Sequence, residues 1–171
     1  MERGNPNTKK AYVGIGSNLG DKLKNCLTAI NLADKMPGCN VESKSRFYRT
    51  EPVGVKGQDW YVNAVISMRA EIQARELLEG LLAIEAGLGR ERRERWESRP
   101  IDLDILLFGK DVINGKDLII PHPRMHLRRF VLVPMTELAP DLVHPVLSKT
   151  MAELLDGFSE NEQRVFPLME V

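Results

Sequence analysis

Ile101-Asp102-Leu103-Asp104-Ile105-Leu106-Leu107-Phe108 is an apolar run broken at alternate positions by two aspartates. Period-two alternation predicts a strand, and residues i and i+2 of a strand share a face roughly 6.5–7 Å apart. Both carboxylates therefore project together, with Leu106 and Phe108 continuing the same face as apolar neighbours. Such a pair suits a divalent cation whose shell is completed by waters and substrate phosphates, or two ions about 3.5–4 Å apart. A solvated, salt-bridged strand face is the alternative.

Just upstream stand Arg90, Arg92, Arg93, Arg95 and Arg99, with Glu91, Glu94 and Glu97 among them. The mixed signs would suit a solvated helix end. Yet the arginines and Trp96 hold no clean helical stripe, and Gly87 and Gly89 loosen the chain before them. A mobile arginine loop beside a carboxylate pair can close over a polyphosphate, where arginine neutralises developing charge. The combination points to phosphate chemistry.

Upstream of that strand, the order of elements decides the fold. Residues 1–10 are polar and read as a frayed terminus; 11–171 form a single domain. Ala11 to Gly16 reads as a strand, and a helix capped by Asn18 or Asp21 follows, with Leu23, Cys26, Leu27, Ile30 and Ala33 at helical spacing. Val41 to Arg49 alternates as one half-buried strand. Glu51 to Asp59, with Pro52, Gly54 and Gly57, is a loop long enough to be a lid. Tyr61 to Ala70 alternates again, and Leu77, Leu78, Leu81, Ile84 and Leu88 mark a second helix ending near Gly87 and Gly89. The sequence thus predicts an α+β fold with a ferredoxin-like βαββαβ core, an antiparallel sheet carrying both helices on one face. A C-terminal hairpin turning at Asn114-Gly115, a helix over Arg128–Leu138 that Pro134 kinks or breaks, and a short helix near Thr150–Leu155 complete the chain.

Composition narrows the partners. The 171 residues carry 24 basic and 24 acidic side chains, so no global field draws the chain to nucleic acid or to a membrane surface. No run approaches the ~20 apolar residues of a membrane span, and there is no signal peptide; a reduced cytoplasm is the expected setting. Cys26, on an apolar helical face, reads as a core thiol. Gly14-Ile15-Gly16-Ser17-Asn18-Leu19-Gly20 is one residue too long for a dinucleotide fingerprint and lacks repeated βαβ units; it reads as a turn that lets backbone approach a ligand. His122, held between Pro121 and Pro123, favours a ligand contact. His126 is open between a surface position and a phosphate contact, and His144 reads as structural. No nucleophile motif or P-loop is present.

Several of these segments together resemble one family, the 6-hydroxymethyl-7,8-dihydropterin pyrophosphokinases of folate biosynthesis. The pieces are Gly16 to Gly20, Phe47-Tyr48-Arg49-Thr50, Tyr61-Val62-Asn63-Ala64, Arg95 to Leu106, and Pro121-His122-Pro123-Arg124-Met125-His126 followed by Arg128 and Phe130 to Pro134. The resemblance implies transfer of pyrophosphate from ATP to the pterin hydroxymethyl group with release of AMP, aided by two Mg²⁺. It implies that Asp102 and Asp104 hold the metals, Asp102 also lying near the substrate hydroxyl. Arg90, Arg92 and Arg99 would neutralise the phosphates, with Trp96 shaping the closed lid. Glu85, Ile105, His122 and Arg128 would complete the ATP site. Tyr61 and Phe130 would sandwich the pterin, whose polar edge would be read by Asn63 and by backbone near Thr50 and Val53. Three loops, roughly 16–21, 51–59 and 90–99, would close over both substrates. The implied partners are the pterin and ATP, with a monomeric chain and no nucleic acid or membrane. Glu51 departs from the family, where proline often precedes Pro52, and Val53 replaces a frequent leucine. The stretch between Arg92 and Arg95 is a residue shorter than in some members.

Two other readings compete. Another Mg²⁺-dependent nucleotidyl or phosphoryl transferase could use the same Asp-x-Asp pair but would release pyrophosphate. A ferredoxin-like RNA-binding module would need exposed sheet aromatics in a basic motif, which the chain lacks.

Overall fold

The computed structural model describes residues 5–54, 57–89 and 100–169. In chain order the elements are β1 (Lys9–Ser17), α1 (Lys22–Asp34), β2 (Cys39–Lys44), β3 (Tyr48–Thr50), β4 (Tyr61–Ala70), α2 (Ala74–Leu88), β5 (Asp102–Phe108), β6 (Ile113–Asn114), β7 (Ile119–Ile120), α3 (Arg129–Leu138), α4 (Met151–Asp156) and β8 (Val165–Pro167). The main sheet runs β5-β1-β4-β3-β8, with β2 also on β4, and its named strand pairs are antiparallel. This is the ferredoxin-like arrangement that the order of elements predicts.

Asp21 caps α1 by accepting the Lys24 N–H at 3.2 Å. Cys26, Ala29 and Ala33 of α1 and Leu77, Leu81 and Ile84 of α2 pack on Val13, Ile15, Ile66 and Met68, filling one face of the sheet. Each fully buried leucine or isoleucine there contributes about 1.5–3 kcal/mol. Burial pushes the Cys26 thiol up to about 12, in keeping with an inert core cysteine. On the other face, α3 and α4 bury Leu132, Met135 and Met151 against Tyr12, Val65, Leu106 and Leu107.

Five local expectations are corrected. The predicted strand 41–49 is two strands, because Ser45 interrupts the pairing: its N–H donates to the Val65 carbonyl, while its hydroxyl accepts the Val65 N–H. β1 begins at Lys9, two residues early, its first pairs being Lys9 with Ala70 and Lys10 with Arg69. The hairpin registers Asn114 on Ile119, so Lys116-Asp117 sits at the turn instead of Asn114-Gly115. α3 continues through Pro134, whose ring is buried beside Val131, Leu132 and Met135; that packing offsets one missing helical bond.

The fifth correction concerns the aspartate strand. Val13 pairs with Ile105 but Tyr12 with Leu107, which leaves Leu106 as an unpaired bulge. A bulge reverses the alternation beyond it. Phe108 therefore joins Leu103 and Ile105 on the α1/α2 face, and Leu106 and Leu107 together continue the opposite face, that of the aspartates. The Leu106 carbonyl accepts the His122 N–H at 2.9 Å, which fixes the histidine segment beside β5.

Candidate active site

Two glycines make the floor. In β1, Gly16 stands between Asp102 of β5 and Asn63 of β4, and Gly14 between Asp104 and Val65. With no side chains on that face, the sheet leaves a cavity of about 510 Å³, walled by the Thr50–Gly54 segment on one side and by Leu127, Arg128 and Phe130 on the other. That volume suits a small organic ligand. Gly14 and Gly16 thus act within the strand that the sequence reads over Ala11–Gly16, and the turn read over Gly14–Gly20 falls only after Ser17. Gly20, with φ +68°, does serve the turn.

A Cβ on Gly16 would lie 2.6 Å from Asn63 Nδ2. Asn63 cannot easily give way, since it is 7% exposed, its Oδ1 accepts from Thr50 Oγ1 and its Nδ2 donates to the Ile15 carbonyl. Gly16→Ala should therefore raise the KM of the ligand read by Asn63 about 10–100-fold, the cost of one or two displaced buried hydrogen bonds. Kinetics with each substrate varied in turn would check this.

At one end of the floor lie the carboxylates. Asp102 is half-buried and Asp104 exposed, and both line the cavity. Burial raises the Tyr61 phenol above its ordinary value, and the Asp102 charge raises it further, so Tyr61 remains a neutral hydroxyl. Two carboxylates lining the cavity over a glycine floor form a suitable donor set for a hydrated Mg²⁺ that takes its other ligands from water and phosphate. Among the described residues no cluster of three His, Cys, Asp or Glu side chains forms a closed metal cage.

His122 borders this end. Burial lowers its pKa, the Asp104 carboxylate opposes that, and the Arg128 and Arg124 charges add to it. Its Nδ1 accepts the Arg124 N–H at 3.1 Å; the neutral ring then carries its proton on Nε2 and can donate it to an anionic oxygen. Arg124 and Arg128 line the cavity as well. Arg124 and Leu127 are contributions that the sequence reading did not single out, although Arg124 lies inside the Pro-His-Pro-Arg motif.

At the other end, Tyr61 of β4 and Phe130 of α3 both line the cavity and are half-buried. The Arg128 guanidinium lies 5.6 Å from the Phe130 ring centre, a cation–π contact that steadies the ring. After its two internal bonds, the Asn63 amide retains one N–H and one lone pair for a ligand. Thr50 is buried with its hydroxyl committed to Asn63, and Val53 is exposed on the rim.

Other expected site residues lie apart from the cavity. Glu85 of α2 accepts the Leu103 N–H at 2.7 Å, sealing part of the outer edge of β5. The Ile105 side chain is buried on the α1/α2 face. By strand alternation its backbone N–H points the same way as that of Leu103, to the open edge. Arg90, Arg92, Trp96 and Arg99 lie outside the described residues. Their downstream anchor, the Pro100 carbonyl, is held by Ser17 Oγ at 2.5 Å and Asn25 Nδ2 at 3.3 Å.

His144 is structural, as its sequence context suggests. It is 4% exposed, and its Nδ1 accepts from the N–H groups of Val146 and Leu147 at 3.2 and 3.0 Å. Burial chiefly, and the nearby His126 as well, lower its pKa. The unfolded chain thus takes up this proton first. Stability from His144 is complete above the ordinary value of about 6.5 and falls as pH drops through it. Urea unfolding at pH 8 and pH 5.5 should show that loss, and His144→Asn should flatten it.

The 7,8-dihydro-6-hydroxymethylpterin-pyrophosphokinase family matches residues 12–140. The chain is 43% identical over 134 residues to a 2-amino-4-hydroxy-6-hydroxymethyldihydropteridine pyrophosphokinase of Methylorubrum extorquens, covering 78% of this chain and 85% of that protein. To the enzyme of the same name from Haemophilus influenzae it is 39% identical over 152 residues, 89% and 94% of the two chains. A Plasmodium falciparum HPPK-DHPS structure with pterin and p-hydroxybenzoate superposes with a TM-score of 0.70 at 17% identity. It spans 87% of this chain but 43% of that longer one, and supports the fold alone. With the family match covering most of its length and relatives at about 40% identity, the chain belongs to the 7,8-dihydro-6-hydroxymethylpterin-pyrophosphokinase family.

Proposed function

We propose that this cavity carries out the family's reaction, transfer of pyrophosphate from ATP to the hydroxymethyl group of 6-hydroxymethyl-7,8-dihydropterin with release of AMP. The observation that carries the reading is one floor joining a carboxylate pair to an aromatic, amide-bearing slot: Asp102 and Asp104 pair with Gly16 and Gly14, and Asn63 and Tyr61 adjoin them.

The pterin ring slots between Tyr61 and Phe130, with the spare Asn63 N–H and lone pair and the backbone at Thr50 and Val53 meeting its polar edge. Asp102, whose charge is felt at Tyr61, orients the substrate hydroxyl. That oxygen gives up its proton to solvent and forms a bond to the β-phosphorus of ATP as the bond to the AMP oxygen breaks, and no covalent intermediate on the chain is needed. Two Mg²⁺ held by Asp102 and Asp104 would neutralise phosphate charge. His122 Nε2–H and Arg128 face the triphosphate, with Arg90, Arg92 and Arg99 supplying further positive charge and Trp96 shaping the closed segment. Ile105 offers its edge N–H to the adenine, and Glu85 positions that edge. Catalysis then rests on positioning and preorganised charge.

The chain is proposed to act as a monomer on two small molecules, the pterin and ATP. Among the described residues no helix is long and apolar enough to cross a membrane, which is compatible with the cytoplasm. The deciding assay follows radiolabelled ATP with the hydroxymethyl pterin, with and without Mg²⁺. AMP and pyrophosphorylated pterin are expected; release of pyrophosphate instead would replace this reading with nucleotidyl transfer.

A further inference from the structure

The C-terminal segment lies beyond the family match at residues 12–140, yet it reaches both walls of the cavity. β8 extends the sheet on β3, with Val165 opposite Thr50 and Phe166 opposite Arg49. Just before it, Arg164 grips one wall. Its backbone N–H and its Nε donate to the two carboxylate oxygens of Glu51 at 2.9 and 3.1 Å, while its carbonyl accepts the Glu51 N–H at 3.1 Å. The adjacent Gln163 grips the other. Its Oε1 accepts the Arg129 N–H at 2.8 Å, and its Nε2 donates to the Leu127 carbonyl at 3.0 Å.

α3 has no side-chain cap from its own N-cap residue, Arg128, so Gln163 satisfies an orphan N–H of its first turn from more than thirty residues away. Gln163 also holds a left-handed backbone at φ 45°, a conformation uncommon for glutamine and sustained only where surrounding contacts demand it. Trp60, next to Tyr61, is pinned by the same segment: Phe166 stacks on it at 6.1 Å and the Arg164 guanidinium lies 5.1 Å from its ring.

We propose that Gln163 and Arg164 are positioning residues for the heterocycle, forming a strap that sets the spacing between the Thr50–Gly54 wall and the Leu127–Phe130 wall. Neither touches the reacting atoms. The strap fixes where Phe130 stands relative to Tyr61, and so how tightly a flat ring is held. Of the ATP end, the carboxylates on β5 and His122 lie off the strap, whereas Arg128 stands between the two residues that Gln163 holds. This inference rests on the pterin reading of the cavity.

The variant Gln163→Asn tests it. Asparagine tolerates the left-handed backbone but is one methylene too short for both bonds. Its KM for the hydroxymethyl pterin should rise about tenfold, the cost of losing one to two hydrogen bonds, with a smaller rise in the KM for ATP because the strap reaches only Arg128 of that end. Gln163→Glu keeps the acceptor for Arg129 N–H and loses the donor to Leu127, so its pterin KM should fall between those of wild type and Gln163→Asn. Arg164→Ala removes one of the Glu51 bonds and should raise the pterin KM about threefold by the same arithmetic. Calorimetric titration of the full chain with pterin should rank the three variants in the same order. An unchanged pterin KM in Gln163→Asn, or an equal rise in both KM values, would overturn the strap. Absence of pterin turnover and binding in the wild-type chain would instead overturn the reading beneath it.

Discussion

Asp104→Ala is expected to lower kcat by about a thousandfold or more while leaving the protein folded. A metal ligand beside the transferring phosphoryl group stabilises transition-state charge by several kcal/mol, and each 1.36 kcal/mol is a factor of ten in rate. Asp104 is exposed at the rim of the cavity, so its removal opens no hole in the core. Its carboxylate raises the pKa of His122 against the effect of burial. Loss of that carboxylate should therefore leave His122 still more firmly neutral. Asp104→Asn keeps the shape and some coordinating capacity but loses the charge, and should fall between. The contrary outcome is informative: near-normal turnover with a small change in stability would mean that the pair is an ordinary solvated strand face. Raising Mg²⁺ should partly recover Asp104→Asn and leave the alanine variant unchanged.

The second large effect is expected at Arg99. Of the arginines in the 90–99 segment, Arg99 stands one residue from a fixed point, since the Pro100 carbonyl is clasped by Ser17 and Asn25, and Ile101 beyond it is buried at 1% exposure. On the proposed reading, Arg99 neutralises the triphosphate beside Asp102. Arg99→Ala should cut kcat about 10²–10³-fold, the range for removing one preorganised donor from a developing oxyanion. Pterin affinity should change little. Arg99→Lys should recover only part of the loss, because a point charge lacks the planar fork that pairs with phosphate oxygens. A rise in KM alone, with kcat intact, would make Arg99 a ground-state binding group.

Much of this was legible in the residues themselves. Period-two and helical spacings set the βαββαβ order, because burying one face of each element forces those periods. Asp21 as cap and Cys26 as core thiol follow from the same local rules. So does the shared face of Asp102 and Asp104, which depends only on the pleat. The motifs naming Tyr61, Asn63, His122, Arg128 and Phe130 were present in the chain, and all but His122 meet at one cavity. Local reading failed where a partner strand changes the register. The Leu106 bulge arises from pairing with β1 and sends Phe108 to the opposite face. The break at Ser45 depends on Val65, more than fifteen residues away. β8 is three residues long and has no periodicity to betray it.

Sequence by itself determined which chemistry the chain carries, because side-chain identity and short-range periodicity are local properties. It determined a carboxylate pair, an arginine segment and a set of two aromatic rings and an amide on a ferredoxin-like order of elements. Tertiary structure alone decided how these pieces are spaced. Gly14 and Gly16 become a floor only when β1 lies between β4 and β5. Gln163 and Arg164, from the far end of the chain, reach the two walls only because β8 folds back onto β3. Such distances are set by contacts between residues remote in sequence, and no local pattern encodes them.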